Sequence, residues 1–166
     1  MLSPFSTSAE TGAGLEDLAV ACLVATTEEE VTVHHGIRHA VFVQEQGLFE
    51  ASDRDDRDED PSTVKVLSLY GPVAGGAVRL YPLDEQGLWK GDRLAVLPTF
   101  RPRGLGAHLV RFAVRAAGQR GGELMVAHVQ PRNVTFFRKL GWHTVGEPVE
   151  YVGHVHQQMT IRLDPA

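Results

Sequence analysis

Arg93 to Gly106 reads RLAVLPTFRPRGLG, and AHLVRFAVRAAGQR follows from Ala107 to Arg120. The first segment is apolar and strand-like as far as Pro98. The second has helical periodicity. Between them stands Arg101-x-x-Gly104-x-Gly106. Glycine lets a backbone approach a ligand closely, and a helix N-terminus presents N–H groups with partial positive charge. Arg101 and Arg103 add mobile cations at the same place, and Arg111 extends the basic patch. The stretch predicts a strand, a phosphate-gripping turn and a helix.

Composition narrows the setting. The chain has 166 residues, 43% hydrophobic and 22% charged, which suits one soluble globular domain with a sizeable core. Its net charge of -5 disfavours nucleic acid as the main partner, because that binding needs a basic field. No apolar run reaches the ~18 residues of a membrane span. The opening MLSPFSTSAETGAG has neither a basic start nor an apolar core, and does not read as a signal peptide. Cys22 is the only cysteine, so no internal disulfide can form, and a reducing cytoplasm fits. Within LAVACLVAT it reads as a small buried hydrophobe.

Along the chain, residues 1–14 read as a loose tail and 15–166 as one domain. Residues 18–26 predict a buried strand. Thr26 and Thr27 before Glu28-Glu29-Glu30 predict a helix start, with Val33, Ile37, Ala40 and Val41 continuing at helical spacing to about Gln46. EASDRDDRDEDP, 50–61, predicts a charged loop. Val64–Leu69, Val73–Leu83 and Leu88–Leu97 predict strands, and 103–119 a helix. Residues 123–130 predict a strand, 131–140 a short helix opening with proline, and 143–163 two strands meeting near Gly153. The order is β-α-β-β-β-α-β-α-β-β.

That order, with RLAV-(x)4-RPRGLG-AHLV and then NVTFFRKLGW, resembles the GNAT superfamily of acyl-CoA-dependent N-acyltransferases, over roughly residues 18–163. Ile37-Arg38-His-Ala-Val-Phe-Val-Gln-Glu45-Gln46-Gly47 is similar to a signature of the ElaA-like branch, which itself resembles acyl-homoserine lactone synthases. The chain as a whole is most similar to a sub-family labelled nitrogen-starvation N-acetyltransferases. The resemblance implies a mixed central sheet of about seven strands flanked by helices. It implies acetyl-CoA as co-substrate, with no metal.

It also implies sites. Arg101, Arg103, Gly104, Leu105, Gly106 and Ala107 would wrap the CoA pyrophosphate. Leu94, Ala95 and Val96 would pair their backbone with the pantetheine arm and thioester. Asn133, Phe136, Phe137 and Lys139 belong to the segment that borders the cofactor. Acyl transfer to an amine needs an oxyanion stabilised, an amine deprotonated and a thiolate released. Asp92 could relay the amine proton, since strand alternation places it on the face of Leu94; otherwise it is a solvated turn residue. Glu45 could border the acceptor pocket or end a helix in solvent. His128 could accept a proton near neutral pH or be structural. Many family members carry a tyrosine where this chain has Phe137, which has no proton to give; another residue (Tyr151, His154 and His156 are candidates) or water could supply it, or the thiolate could depart unaided.

Other patterns weigh less. His154-x-His156 with His143 lacks the cysteine or carboxylate spacing of a metal site. Asp53–Asp60 fails the calcium-loop pattern: its sixth position is Asp58 and its twelfth Val64. That loop reads as solvated, or as a funnel for a cationic amine. Arg79 reads as a surface strand arginine, or as a partner for a substrate carboxylate.

The leading expectation is acetyl transfer from acetyl-CoA to a primary amine of a small molecule, by direct attack in a ternary complex. No cysteine or serine sits in a nucleophile motif. A longer-chain acyltransferase and a CoA-binding sensor without turnover are the alternatives. The exposed final strands leave room for a homodimer.

Overall fold

Thr27 begins the first helix as its residue types dictate. Its hydroxyl accepts from the Glu30 N–H at 3.1 Å, and Glu30 Oε1 accepts from the N–H of Thr27 at 3.2 Å and of Thr26 at 2.9 Å. This reciprocal cap satisfies donors that a helix start would otherwise leave open, and such a cap is worth about 1 kcal/mol. The computed structural model describes residues 18–151 and 153–164. The expected tail at 1–14 lies outside them.

The chain divides into two compact units. One holds the described residues up to Arg79 together with Arg93–Phe112; the other holds Leu80–Asp92 and the residues from Ala113. In the first, β1 (Val20–Val24) runs antiparallel to β2 (Val64–Tyr70), with Val20 opposite Tyr70 and Val24 opposite Val66. Cys22 is half-buried there, less enclosed than its apolar neighbours suggested. Helix α1 (Glu28–Arg38) is regular, and the chain then continues as a π-helix from His39 to Glu45. The Gln46 N–H reaches back five residues to the Val41 carbonyl at 2.9 Å. The helical run thus extends about as far as the periodicity predicted, with a wider last segment. Such widened segments recur at functional sites.

Ile37, Val41, Leu67, Ala74, Ala77 and Ala95 form the core of this unit. Strand β3 (Val73–Pro82) contributes AGGA to it. A Cβ on Gly75 would lie 2.6 Å from the Phe100 ring, and one on Gly76 would lie 2.8 Å from Leu109 Cδ1. The paired glycines therefore let Phe100 and the helix α2 (Leu105–Gln119) seat directly on strand backbone.

In the second unit, the start of β4 (Leu88–Val96) pairs parallel with β5 (Leu124–Val129), over Leu88–Lys90 and Leu124–Val126. Strand β5 pairs antiparallel with β8 (His154–Arg162), from Leu124 opposite Arg162 to Val129 opposite Gln157. Helix α3 (Val134–Lys139) follows a single 3-10 turn, Pro131–Asn133. The C-terminal stretch, expected as two strands, forms three: β6 (His143–Thr144), β7 (Val149–Tyr151) and β8. Both β6 and β7 pair with β8, and Gly153 at φ 78° turns the β7–β8 hairpin. Strand order is β1-β2-β3-β4-β5-β8-β6, with β7 on β8. The fold is thus a mixed α/β sheet, mostly antiparallel and flanked by helices, as the element order predicted. No helix among the described residues is long and apolar enough to cross a membrane.

Candidate functional site

The turn between β4 and α2 is built by local sequence. Pro98 to Arg103 form a 3-10 helix, Gly104 stands left-handed at φ 81°, and α2 begins at Leu105. Space does not require the glycine, because nothing lies within 4 Å of a Cβ there; the backbone conformation does. Leu105 is fully buried and anchors the helix start, while Arg101 to Gly104 are exposed and Gly106 and Ala107 half-exposed. The His108 N–H bonds back to the Gly104 carbonyl at 3.3 Å. The N–H groups of a helix before its first such bond have no helical partner, so donors remain at this turn.

The arginines of the turn each have a partner. Arg101 Nη1 and Nη2 donate to Glu45 Oε2 and Oε1 at 2.8 and 2.6 Å, and its Nε donates to the Val96 carbonyl at 3.0 Å. The hydrogen bonds to Glu45 raise the guanidinium above its already high pKa. The Arg103 guanidinium lies over the Tyr70 ring, 5.3 Å from its centre. Glu45, expected at the acceptor side, is thus tied to the end of β4 through Arg101.

Just upstream, β4 departs from regular pleating. Arg93 sits at φ 54°, the one non-glycine with positive φ among the described residues. A left-handed residue interrupts the alternation of a strand, so alternation does not put Asp92 and Leu94 on one face. Arg93 Nη2 donates to the Asp53 carbonyl at 2.9 Å and Nε to Asp53 Oδ2 at 3.1 Å.

This contact belongs to a network that residue spacing did not predict. Arg38 Nε donates to Asp53 Oδ2 at 2.7 Å, and its Nη1 and Nη2 donate to Asp58 Oδ1 and Oδ2 at 2.7 and 3.0 Å. Arg79 donates to Asp55 through Nη1 and Nη2 at 2.6 and 3.1 Å, and to Asp58 Oδ2 at 3.1 Å. Arg38 and Arg79 are fully buried, Asp53 is 2% exposed and Asp58 6%. Arg79 is therefore neither a surface residue nor open to a substrate carboxylate. The acidic loop is two-sided: its inward carboxylates Asp53 and Asp58 meet these arginines, while Glu50, Asp56, Glu59 and Asp60 stay exposed, as expected of a solvated loop. Burial pushes Asp58 up and the hydrogen bonds from Arg38 push it down; the second prevails, and its pKa falls well below the carboxylate range. The sequence signals for this network are faint: an arginine inside each of two apolar elements, and a loop of near-alternating sign.

In the second unit, His128 lies exposed on β5, with its ring centre 6.5 Å from that of His156. Partial burial, then the positive charge of Lys90, lowers its pKa, while Asp92 acts in the opposite sense. Asp92 Oδ2 accepts from the Tyr81 hydroxyl at 3.0 Å. Asn133 caps α3 from an exposed position without a side-chain hydrogen bond to the helix, and Lys139 is exposed at its end. Phe137 is buried, with rings edge-on to Phe136 at 5.4 Å and Trp142 at 5.3 Å. The side chain of Tyr151 lies outside the description. Among the described residues, no group of His, Cys, Asp or Glu is arranged to hold a metal ion.

Residues 23–142 match the model of the Acetyltransferase (GNAT) family. A Bacillus subtilis (strain 168) protein named as an acetyltransferase is 30% identical over 142 residues, covering 85% of this chain and 95% of its own. The solved structure of Escherichia coli ElaA superposes with a TM-score of 0.74 at 19% identity, over 87% of this chain and 99% of its own. A CoA-dependent acyl-homoserine lactone synthase, BjaI, solved with SAM and isopentyl-CoA, superposes at 0.70 and 19% identity, over 88% and 83%. Those two likenesses establish the fold. The family match and the Bacillus relative go further: this chain belongs to the acetyltransferase (GNAT) family and is an acyl-CoA-dependent N-acyltransferase.

Proposed function

We propose that this protein moves an acetyl group from acetyl-CoA to a primary amine of a small molecule, by direct attack in a ternary complex. The carrying observation is the exposed turn at Arg101–Gly104, where a left-handed glycine opens directly into a helix. Two linked phosphates suit the donors there, because backbone N–H groups and the helix dipole both favour an anion. Leu105, Gly106 and Ala107 supply N–H groups, and Arg103 supplies charge at the rim.

The reaction then runs as follows. The neutral amine attacks the thioester carbonyl, giving a tetrahedral oxyanion, and its surplus N–H proton passes to a base. Backbone N–H groups of Leu94–Val96 stabilise that oxyanion. The C–S bond breaks, and the coenzyme leaves as thiolate, which takes a proton from water. His128 is the base this reading favours, since its lowered pKa keeps it neutral at physiological pH. Asp92 tunes that imidazole by its charge. Phe137 has no proton to give and serves by packing.

Calorimetry with acetyl-CoA tests the reading. Micromolar or tighter binding is expected, weakened at least tenfold by Gly104→Val, because a β-branched residue resists positive φ. Binding unaffected by that change overturns the assignment of the turn. Free-thiol release across an amine panel then separates an enzyme from a CoA-binding sensor. A longer acyl chain is the second reading, favoured by the likeness to the lactone synthase fold. A ladder of acyl-CoA lengths decides it: acetyl-CoA should give the highest kcat/KM.

A further inference from the structure

Arg93 occupies a conformation that most residues avoid, at φ 54°. Such conformations persist only where the surroundings over-determine them. Here the surroundings act through the side chain. Nε donates to both the carbonyl and Oδ2 of Asp53, at 3.2 and 3.1 Å; Nη2 donates to the Asp53 carbonyl at 2.9 Å and approaches Asp55 Oδ2 at 3.4 Å. The Phe49 ring centre lies 4.9 Å from the guanidinium carbon. Asp53 is itself immobilised, because Arg38 Nε donates to the same Oδ2 at 2.7 Å. Asp55 is gripped twice by Arg79. The acidic loop thus joins α1, β3 and β4 at a single residue of β4.

We propose that Asp53 and Arg93 are positioning residues: their clamp holds the left-handed conformation at residue 93, and that conformation aims the backbone of Leu94–Val96. The inference rests on the acyl-CoA reading of this strand. Past the clamp, the Leu97 N–H bonds to the Gly75 carbonyl at 2.9 Å, so β4 is fixed at both ends of the segment. An extended residue 93 would turn the N–H and C=O groups of Leu94–Val96 the other way, because side chains and amides alternate along a strand. Direct contact of Arg93 with the coenzyme is the competing role. The loop already engages its Nε and Nη2, and its side chain is 18% exposed.

The test substitutes residue 93 by backbone preference. Arg93→Gly and Arg93→Asn remove the clamp but tolerate positive φ; Arg93→Ala and Arg93→Val remove it and do not. Asp53 keeps Arg38 and Asp55 keeps Arg79 in all four, so no buried carboxylate is stranded. Acetyl-CoA affinity is read by calorimetry, and thermal melts report folding. The expected order is Gly and Asn within about threefold of the parent, Ala weaker by about tenfold and Val weaker still. Each pair has two members, so one variant that does not fold leaves the comparison intact. Equal losses in all four overturn the proposal in favour of direct contact. Parent-like binding in all four overturns it by making the conformation irrelevant. Either result leaves the acyl-CoA reading standing, which falls only if the parent protein itself binds no acetyl-CoA.

Discussion

Glu45 and Arg101 form a two-pronged ion pair, at 2.6 and 2.8 Å, between the end of the π-helix and the glycine turn that precedes α2. Their side chains are 35% and 42% exposed, so the pair contributes about 0 to 1 kcal/mol to stability. Its larger consequence is orientation, because the same guanidinium also caps the Val96 carbonyl.

Glu45→Gln should therefore leave the melting temperature nearly unchanged and weaken acetyl-CoA binding about two- to fivefold, with Arg101→Ala costing more. The double variant should bind no worse than Arg101→Ala alone, as expected when one residue acts through the other. Additive losses measured by calorimetry would show that Glu45 acts independently.

His34 and His35 predict a pH dependence of stability. His34 is fully buried, with Nδ1 3.1 Å from the Val66 carbonyl and Nε2 3.2 Å from Arg38 Nη1. An arginine can only donate, so Nε2 accepts and Nδ1 carries the proton. Burial first, then the Arg38 charge, lowers the pKa of His34 to about 3 and that of His35 to about 4. Unfolded, both titrate near ~6.5. The unfolded chain thus binds more protons below that pH, and stability falls as pH drops from about 6.5 towards 4, by about 1.4 kcal/mol per pH unit for each histidine. Replacing His34 by Gln should remove one proton from that slope in denaturant titrations. A slope unchanged by the replacement refutes the assignment.

The Arg38–Asp58 pair predicts strong coupling. Asp58→Asn leaves Arg38 with half its compensation in a buried site, a change that costs about 3 to 5 kcal/mol. Arg38→Met costs a similar amount for the opposite reason. Combined, the two should cost less than their sum by about 2 kcal/mol or more, because no uncompensated charge remains at that contact. Simple additivity in urea unfolding would count against the pair as a unit.

His128 predicts the acid limb of the rate profile. Only the neutral imidazole accepts a proton, so kcat/KM should decline as pH falls through its lowered pKa. Lys90→Met removes a positive neighbour and should move that limb to higher pH. Asp92→Asn should move it lower. A limb that responds to neither change excludes His128 as the base.

Local patterns made much of this molecule legible. Thr27 with Glu30 fixed a helix start, and Gly104 with Gly106 marked the turn, because caps and left-handed positions depend on residues within a few places of each other. The strands around Arg79 and Met125 followed from runs of apolar residues. The inward side of the acidic loop was not legible, for the converse reason. Its carboxylates look solvated in sequence, and only the fold places Arg38, Arg79 and Arg93 within 3.4 Å of them.

By itself, then, the chain's local order determined the elements, the family resemblance and the glycine turn before α2, since short-range sterics and periodicity act before any long-range contact forms. The tertiary structure alone decided which charges are buried together, that Arg101 belongs to Glu45, and that Arg93 is held left-handed by Asp53. Those pairings join residues tens of positions apart, and their strength comes from a low-dielectric interior that exists only once the chain has folded.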